Sequence, residues 1–205
     1  MDVQTVWQCS RNGVAVSHDG GETWEQQDVP PDSIGLGCRF ISFLDGQVGW
    51  VAASGALVAT ADGGLTWTEV EIPEGIEIRA ISLRTPSDGY ILDNTLTLHV
   101  TGDGGESWTS LPIEIEIPEA LAQMDYEVAS DVVRFFDDDH GVIVLGLVGG
   151  GESRLLSIRT DDGGRTWEQE DVPAVIGALT LTHDARFLTV TPLFGETDAV
   201  VLEYQ

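Results

Sequence analysis

The chain has 205 residues, of which 35 are acidic and nine are arginine; it contains no lysine, and its formal net charge is −26. That balance repels phosphate backbones and argues against nucleic-acid binding, and no apolar run approaches the ~20 residues of a membrane span. The length is ample for one all-β domain; so acidic a surface is a halophile's device, an ordinary acidic protein from a GC-rich genome being the alternative.

Residues 1–5 lack the basic and apolar regions of a signal peptide, so the expected location is cytoplasmic, or extracellular if the chain has been processed. Three short strands follow, around 5–9, 13–17 and 23–27. Between the last two lies the octapeptide Ser17-His18-Asp19-Gly20-Gly21-Glu22-Thr23-Trp24. Its pattern, [ST]-x-D-G-G-x-[ST]-W, returns at 60–67, 101–108 and 160–167, with the aspartates 43, 41 and 59 residues apart. In each box the Gly-Gly pair can reach positive φ, the Asp can accept from downstream N–H groups, and the hydroxyl two residues earlier can close the turn. The Trp then packs over the hairpin.

The unit is longer than the box. Segments 40–54, 80–92 and 132–144 each supply two strands ahead of the next pair, which makes four strands, a to d, with the box at the c–d turn. Four strands in about 40 residues is the size of a β-propeller blade. Full units are expected at 39–72, 79–113 and 131–172. Residues 1–29 offer strands b, c and d, and 178–205 offer a, b and c. The expectation is one domain over 1–205, a five-bladed ring in which the termini meet; a fragment of a larger propeller and a ring completed by another copy are the alternatives. Residues 118–124 are the one helical candidate. Cys9 and Cys38 read as buried thiols, with a single disulfide as the alternative, and no Cys/His spacing points to zinc.

The boxes resemble the Asp-box (BNR) repeats of sialidases and sortilin-type receptors. The wider unit, with Gly49-Trp50-Val51-Ala52 ahead of Asp62-Gly63-Gly64-Leu65-Thr66-Trp67, resembles the photosystem II stability/assembly factor family. The resemblance implies a propeller with structural boxes, a role carried to Asp19, Trp24, Asp62, Trp67, Asp103, Trp108, Asp162 and Trp167. The assembly-factor relatives are also linked to a basic surface patch, whereas this chain has no lysine.

No catalytic residue is assigned. The arginine motif and tyrosine context of a sialidase are missing, and 35 carboxylates offer no selection for a glycosidase pair. Asp137-Asp138-Asp139-His140 reads as a solvated acidic turn rather than a cation site, and neither metal nor cofactor is expected. Propellers bind partners at the face opposite the boxes. There the longest connection is 112–130, and 146–151 reads as a flexible glycine-rich loop. Counting eleven residues back from Trp50, Tyr90 and Val142 reaches Arg39, Arg79 and Asp131, all expected at the mouth of a central channel, with Tyr126 and Arg154 nearby. The arginines could hold a carboxylate, or pair with acids such as Glu74 or Glu77. The reading is a non-enzymatic module for a protein or peptide partner, with most tryptophans buried in the boxes. The alternative is a carbohydrate-binding or glycoside-hydrolysing propeller.

Overall fold

Alternating short strands and Gly-Gly turns leave this chain one way to bury its apolar positions, as small antiparallel sheets set face to face. A computed structural model bears this out; it describes residues 5–30, 37–53, 55–116, 126–149, 152–172, 177–181, 187–192 and 200–203. The described residues are all-β and contain no helix; the candidate helix at 118–124 lies outside them. The chain falls into two compact units, Met1–Pro112 and Ile113–Gln205.

The first unit carries three sheets. β1 (Val6–Ser10), β2 (Gly13–Ser17) and β3 (Glu25–Gln26) form a three-stranded sheet. β4 (Phe40–Phe43), β5 (Gly49–Ala53), β6 (Ala56–Thr60) and β7 (Thr68–Val70) form the second, in sequence order. The third repeats it with β8 (Ile78–Leu83), β9 (Gly89–Asp93), β10 (Thr97–Thr101) and β11 (Thr109–Pro112). In the second unit, β12 (Tyr126–Phe135), β13 (Gly141–Gly149), β14 (Glu152–Thr160) and β15 (Glu168–Val172) make a four-stranded sheet. β16 (Gly177–Leu181), β17 (Phe187–Pro192) and β18 (Val200–Glu203) make a three-stranded one. Every pairing is antiparallel between sequence neighbours, the blade pattern of a propeller.

The glycine-rich stretch departs from expectation. Gly146 and Gly149 belong to β13 and are paired on both sides, with Ser130 and Leu155 and with Tyr126 and Glu152. Leu145 and Leu147, both fully buried, supply the apolar anchors that override glycine's weak strand preference. The expected 112–130 connection likewise ends early, because β12 begins at Tyr126.

Aromatic rings join successive sheets of the first unit. Trp7 of β1 stacks on Phe43 of β4 at 4.1 Å and meets Trp67 edge-on at 6.1 Å. Trp50 of β5 lies 6.0 Å from Trp108. A Cβ at Gly89 would collide with the Trp50 ring, so the glycine that opens β9 is the floor on which the preceding sheet's tryptophan rests. Trp50 is therefore buried, at 2% exposure, in a cluster with Leu57, Ile78, Leu83 and Ile91.

Cys9 and Cys38 form a disulfide, Cα–Cα 5.3 Å, and so are not the buried thiols expected. The reason is packing between sheets. Cys38, just ahead of β4, enters a cluster with Val14, Val51 and Val58, and Cys9 of β1 packs against that cluster. The tryptophan expectation also needs correction, since Trp24 is 43% exposed. Trp67 meets Trp7 and Trp108 meets Trp50, each from the sheet before, and Trp167 meets Phe135 of its own sheet, whereas the Trp24 indole N–H donates to Gly21 O of its own box.

Candidate functional site

The four boxes have one construction. The residue-17 hydroxyl donates to Asp19 Oδ1 at 2.7 Å and accepts from the Gly21 N–H at 2.8 Å. Asp19 Oδ1 also accepts from the Thr23 N–H at 2.8 Å, and Oδ2 from the Thr23 hydroxyl at 2.6 Å. Asp62, Asp103 and Asp162 repeat the set with Thr66, Ser107 and Thr166. Gly63 and Gly64 sit at φ 73° and 83°, where a side chain would be strained. Each carboxylate is thus consumed by its own turn. The hydroxyl bond from Ser107, followed by the Ser107 N–H, holds Asp103 at about 2, and Thr166 does the same for Asp162.

These groups have folded pKa values below the ordinary 3.8. Their stabilisation is complete above the unfolded value and is lost as pH falls from about 4 towards 2. Urea midpoints measured stepwise over that window should fall steeply for the natural protein and less steeply for Asp103→Asn; superimposable slopes would assign acid sensitivity to other groups.

At the same end of each four-stranded sheet stands the a–b turn, bonded to its box. The Gly63 N–H donates to Gln47 O at 2.9 Å, Gly104 to Ser87 O and Gly163 to Asp139 O at 2.8 Å. In the acidic turn Asp137 Oδ1 accepts from the His140 N–H at 2.7 Å and the Asp139 N–H at 2.9 Å, and lies 2.9 Å from His140 Nδ1. These bonds lower Asp137 to about 2 and raise His140. Among the described residues no group of three His, Cys, Asp or Glu is placed to hold a metal ion.

The opposite end carries the mouth candidates. Arg39 lies just before β4, its N–H bonded to Ala52 O at 2.9 Å. Its guanidinium is 3.9 Å from Glu77 Oε1, both side chains more than half exposed, and 5.7 Å from the Phe40 ring centroid. Arg79 is the bulged residue of β8, between Ile78 and Ala80. The Asn94 N–H reaches Glu77 O at 3.0 Å, and Asn94 Nδ2 reaches Glu77 Oε2 at 3.4 Å. Arg39, Glu77 and Asn94 thus form one polar chain across two sheets. In the second unit Asp131 pairs with Leu145, half-buried. Tyr126 and Arg154 lie opposite Gly149 and Leu147 of β13, at the end of their sheet away from the fourth box; their side chains are outside the described residues.

One polar constellation escaped the sequence reading. Asp93, closing β9, is 4% exposed; its Oδ1 accepts from the Thr95 N–H and hydroxyl at 2.8 Å and the Thr97 N–H at 2.9 Å. Its Oδ2 lies 3.0 Å from His99 Nε2, and His99 Nδ1 lies 2.9 Å from Ser110 Oγ. Burial opposes ionisation of Asp93, yet the bonds from His99, Thr97 and Thr95 hold it below its ordinary value. The signal was in the repeat: His99 stands where the other units have Ala15, Val58 and Ile158. The residue types are those of a hydrolase triad, but the carboxylate organises its own b–c turn, and the three groups span β9, β10 and β11 as a clamp within one sheet.

Residues 16–130 match the family model described as photosynthesis system II assembly factor YCF48. Among solved structures the chain is similar to YCF48 bound to a D1 peptide, at 16% identity and TM-score 0.51, over 92% of this chain and 87% of that one. It is similar to YCF48 from Cyanidioschyzon merolae, at 16% identity and TM-score 0.50, over 92% and 89%. A third likeness is to an ancestral GH74 enzyme, at 16% identity and TM-score 0.59, over 92% of this chain but 26% of that one. No curated protein matches the chain. At these identities the likeness shows the fold, a β-propeller.

Proposed function

Since the chain belongs to the photosynthesis system II assembly factor YCF48 family, we propose that it is a non-enzymatic propeller that holds a protein or peptide partner at the end of its sheets opposite the boxes. The observation that carries this reading is Arg39. Its guanidinium is well exposed, sits near the Phe40 ring and lies 3.9 Å from Glu77 Oε1. An exposed pair of that length contributes at most about 1 kcal/mol, so a ligand carboxylate that engages the guanidinium in two parallel hydrogen bonds can displace Glu77. Arg79, two residues beyond Glu77, extends the same cationic edge. A relative was solved with a D1 peptide bound, which supports a peptide as the partner class.

The carbohydrate reading needs exposed aromatic rings beside carboxylates in one cleft. Trp50 is buried, Trp7, Trp67, Trp108 and Trp167 are partly buried, and the indole of exposed Trp24 is bonded to its own Gly21 carbonyl. The Cys9–Cys38 bond supports an oxidising compartment over the cytoplasm.

The test is an array of peptides with free C-terminal carboxylates, run beside a glycan panel at low and high potassium chloride. Peptide binding that weakens about tenfold, or about 1.4 kcal/mol, in Arg39→Ala is the expected result. Peptide binding unchanged in both Arg39→Ala and Arg79→Ala, or glycan binding or turnover alone, would overturn the reading.

A further inference from the structure

Arg134 breaks the pattern of the repeat. It lies on β12 and pairs with Val142 of β13. The equivalent pairs in the second and third sheets are Ser42 with Trp50 and Ser82 with Tyr90. Those sheets set a small hydroxyl against a large ring, whereas the β12–β15 sheet sets a long cation against valine. Volume alone would be met by leucine or methionine, so the guanidinium calls for its own reason.

Arg134 is partly buried, and burial pushes it below its ordinary value. In a chain with 35 acidic residues it has, among the described residues, no hydrogen bond, ion pair or other charge partner. The neighbouring acids are directed elsewhere. Strand alternation puts Asp131 on the other face of β12. Asp137 accepts from the Asp139 and His140 N–H groups of its own turn. Along the row of paired residues that Arg134 opens, Val142 is followed by Arg159, a second cation, and only then by Glu168. Three strand spacings put that last position about 14 Å from the first. The Arg134 nitrogens are still within reach of solvent, because the enclosed side-chain atoms without a partner, among the described residues, belong to Trp7, Trp67, Ser82 and Arg84.

We propose that Arg134 is a binding site for a carboxylate. A charge held partly out of water costs stability unless a counter-charge meets it, and the planar guanidinium offers a carboxylate two parallel hydrogen bonds. One cation balances one negative charge. A phosphate dianion would leave a charge unbalanced beside buried Val142, in a chain of net −26. Chloride, a sphere, cannot use the fork. The site lies on β12 of the second unit and is independent of Arg39 and the mouth reading.

The experiment replaces potassium chloride stepwise by potassium acetate at neutral pH and constant ionic strength, and follows urea unfolding by tryptophan fluorescence. The natural chain, Arg134→Met and Arg134→Lys are compared, and acetate affinity is read by titration calorimetry. Acetate should raise the urea midpoint of the natural chain and saturate, and it should leave that of Arg134→Met unchanged. Arg134→Lys keeps the charge without the fork and should bind acetate about tenfold more weakly. Acetyl-Ala-Glu-Ala-amide in place of acetate identifies the source of the carboxylate: tighter binding than acetate assigns the site to a partner's acidic side chain, weaker binding to a small free acid. A natural chain indifferent to acetate, an acetate response that survives in Arg134→Met, or phosphate binding as tight as acetate binding would overturn the proposal.

Discussion

Replacing Cys9 and Cys38 together by alanine lowers unfolding stability by about 3.5 kcal/mol. The bond closes a stretch of 29 residues, and the chain-entropy cost released to the unfolded state by opening a loop of that length is about that size. The site itself adds to the effect. Cys38 is 5% exposed and packs with Val14, Val51 and Val58, while Cys9 belongs to the same shell as Trp7, Phe43 and Trp67. Alanine there leaves unfilled volume between two sheets whose contact is otherwise aromatic and aliphatic. The loss therefore falls on the junction of the first and second sheets, and Trp67, which meets Trp7 edge-on, is placed to report it. Urea unfolding followed by tryptophan fluorescence, with and without reductant, checks the prediction. The oxidised natural protein should unfold at the highest urea, and the reduced protein and the double variant well below it. Coincident curves for oxidised and reduced protein would mean that the bond constrains neither state and that hydrophobic packing alone holds the first sheet.

How much of this was legible in the sequence depends on range. The boxes were legible because everything they need lies within eight residues. Asp103, Thr101, Ser107 and the Gly-Gly pair satisfy one another without help from elsewhere, and the pattern states both the turn and the hydrogen bonds. Strand order followed from the repeat, since hairpin-linked neighbours pair. Contacts between units of the repeat were not legible. Cys9 and Cys38 are 29 residues apart and meet only because β1 and β4 pack together. The exposure of Trp24 depends on contacts from outside its own box, which the pattern does not state. Gly146 and Gly149 read as a loop because glycine disfavours strands locally, while pairing on both sides and the buried Leu145 and Leu147 decide otherwise. Arg39 lies just before β4 and Arg79 at the bulge inside β8. Glu77 had been named as a partner for the arginines, and it is Arg39 that it faces. Asn94 was not anticipated, because it reaches Glu77 from the neighbouring b–c turn.

Asp93→Ala should be the most damaging single substitution in the third sheet, at about 3 kcal/mol. The carboxylate is the acceptor for the Thr95 and Thr97 N–H groups and the Thr95 hydroxyl, and it lies 3.0 Å from His99 Nε2. Alanine leaves the buried imidazole without its acceptor, and uncompensated buried polar groups cost about 1–3 kcal/mol each. Part of the loss is recovered, because the turn holds Leu96 at φ 58°, a left-handed conformation costing about 1–2 kcal/mol for a residue with a Cβ, and the freed loop can relax it. Asp93→Asn keeps one acceptor oxygen and should fall between alanine and the natural protein. His99→Val installs the aliphatic type found at the same place in the other units. It costs the Asp93 Oδ2 one partner and leaves Ser110, on the exposed edge of the sheet, to water, a loss of about 1–2 kcal/mol. The ordering of these three variants, read from urea midpoints, tests whether the aspartate organises the clamp. The double variant Asp93→Ala/His99→Val should lose less than the two single losses together, since removing both partners leaves neither buried charge nor buried imidazole uncompensated. Additive losses, or a His99→Val loss larger than that of Asp93→Ala, would show that the histidine is held by packing and that the b–c turn is built without it. The sign of the pH effect follows from the same geometry. Asp93 is held below its ordinary value when folded, so its contribution is complete above the unfolded value and is lost as pH falls below about 4; Asp93→Asn should remove that part of the acid sensitivity while leaving the part due to the boxes.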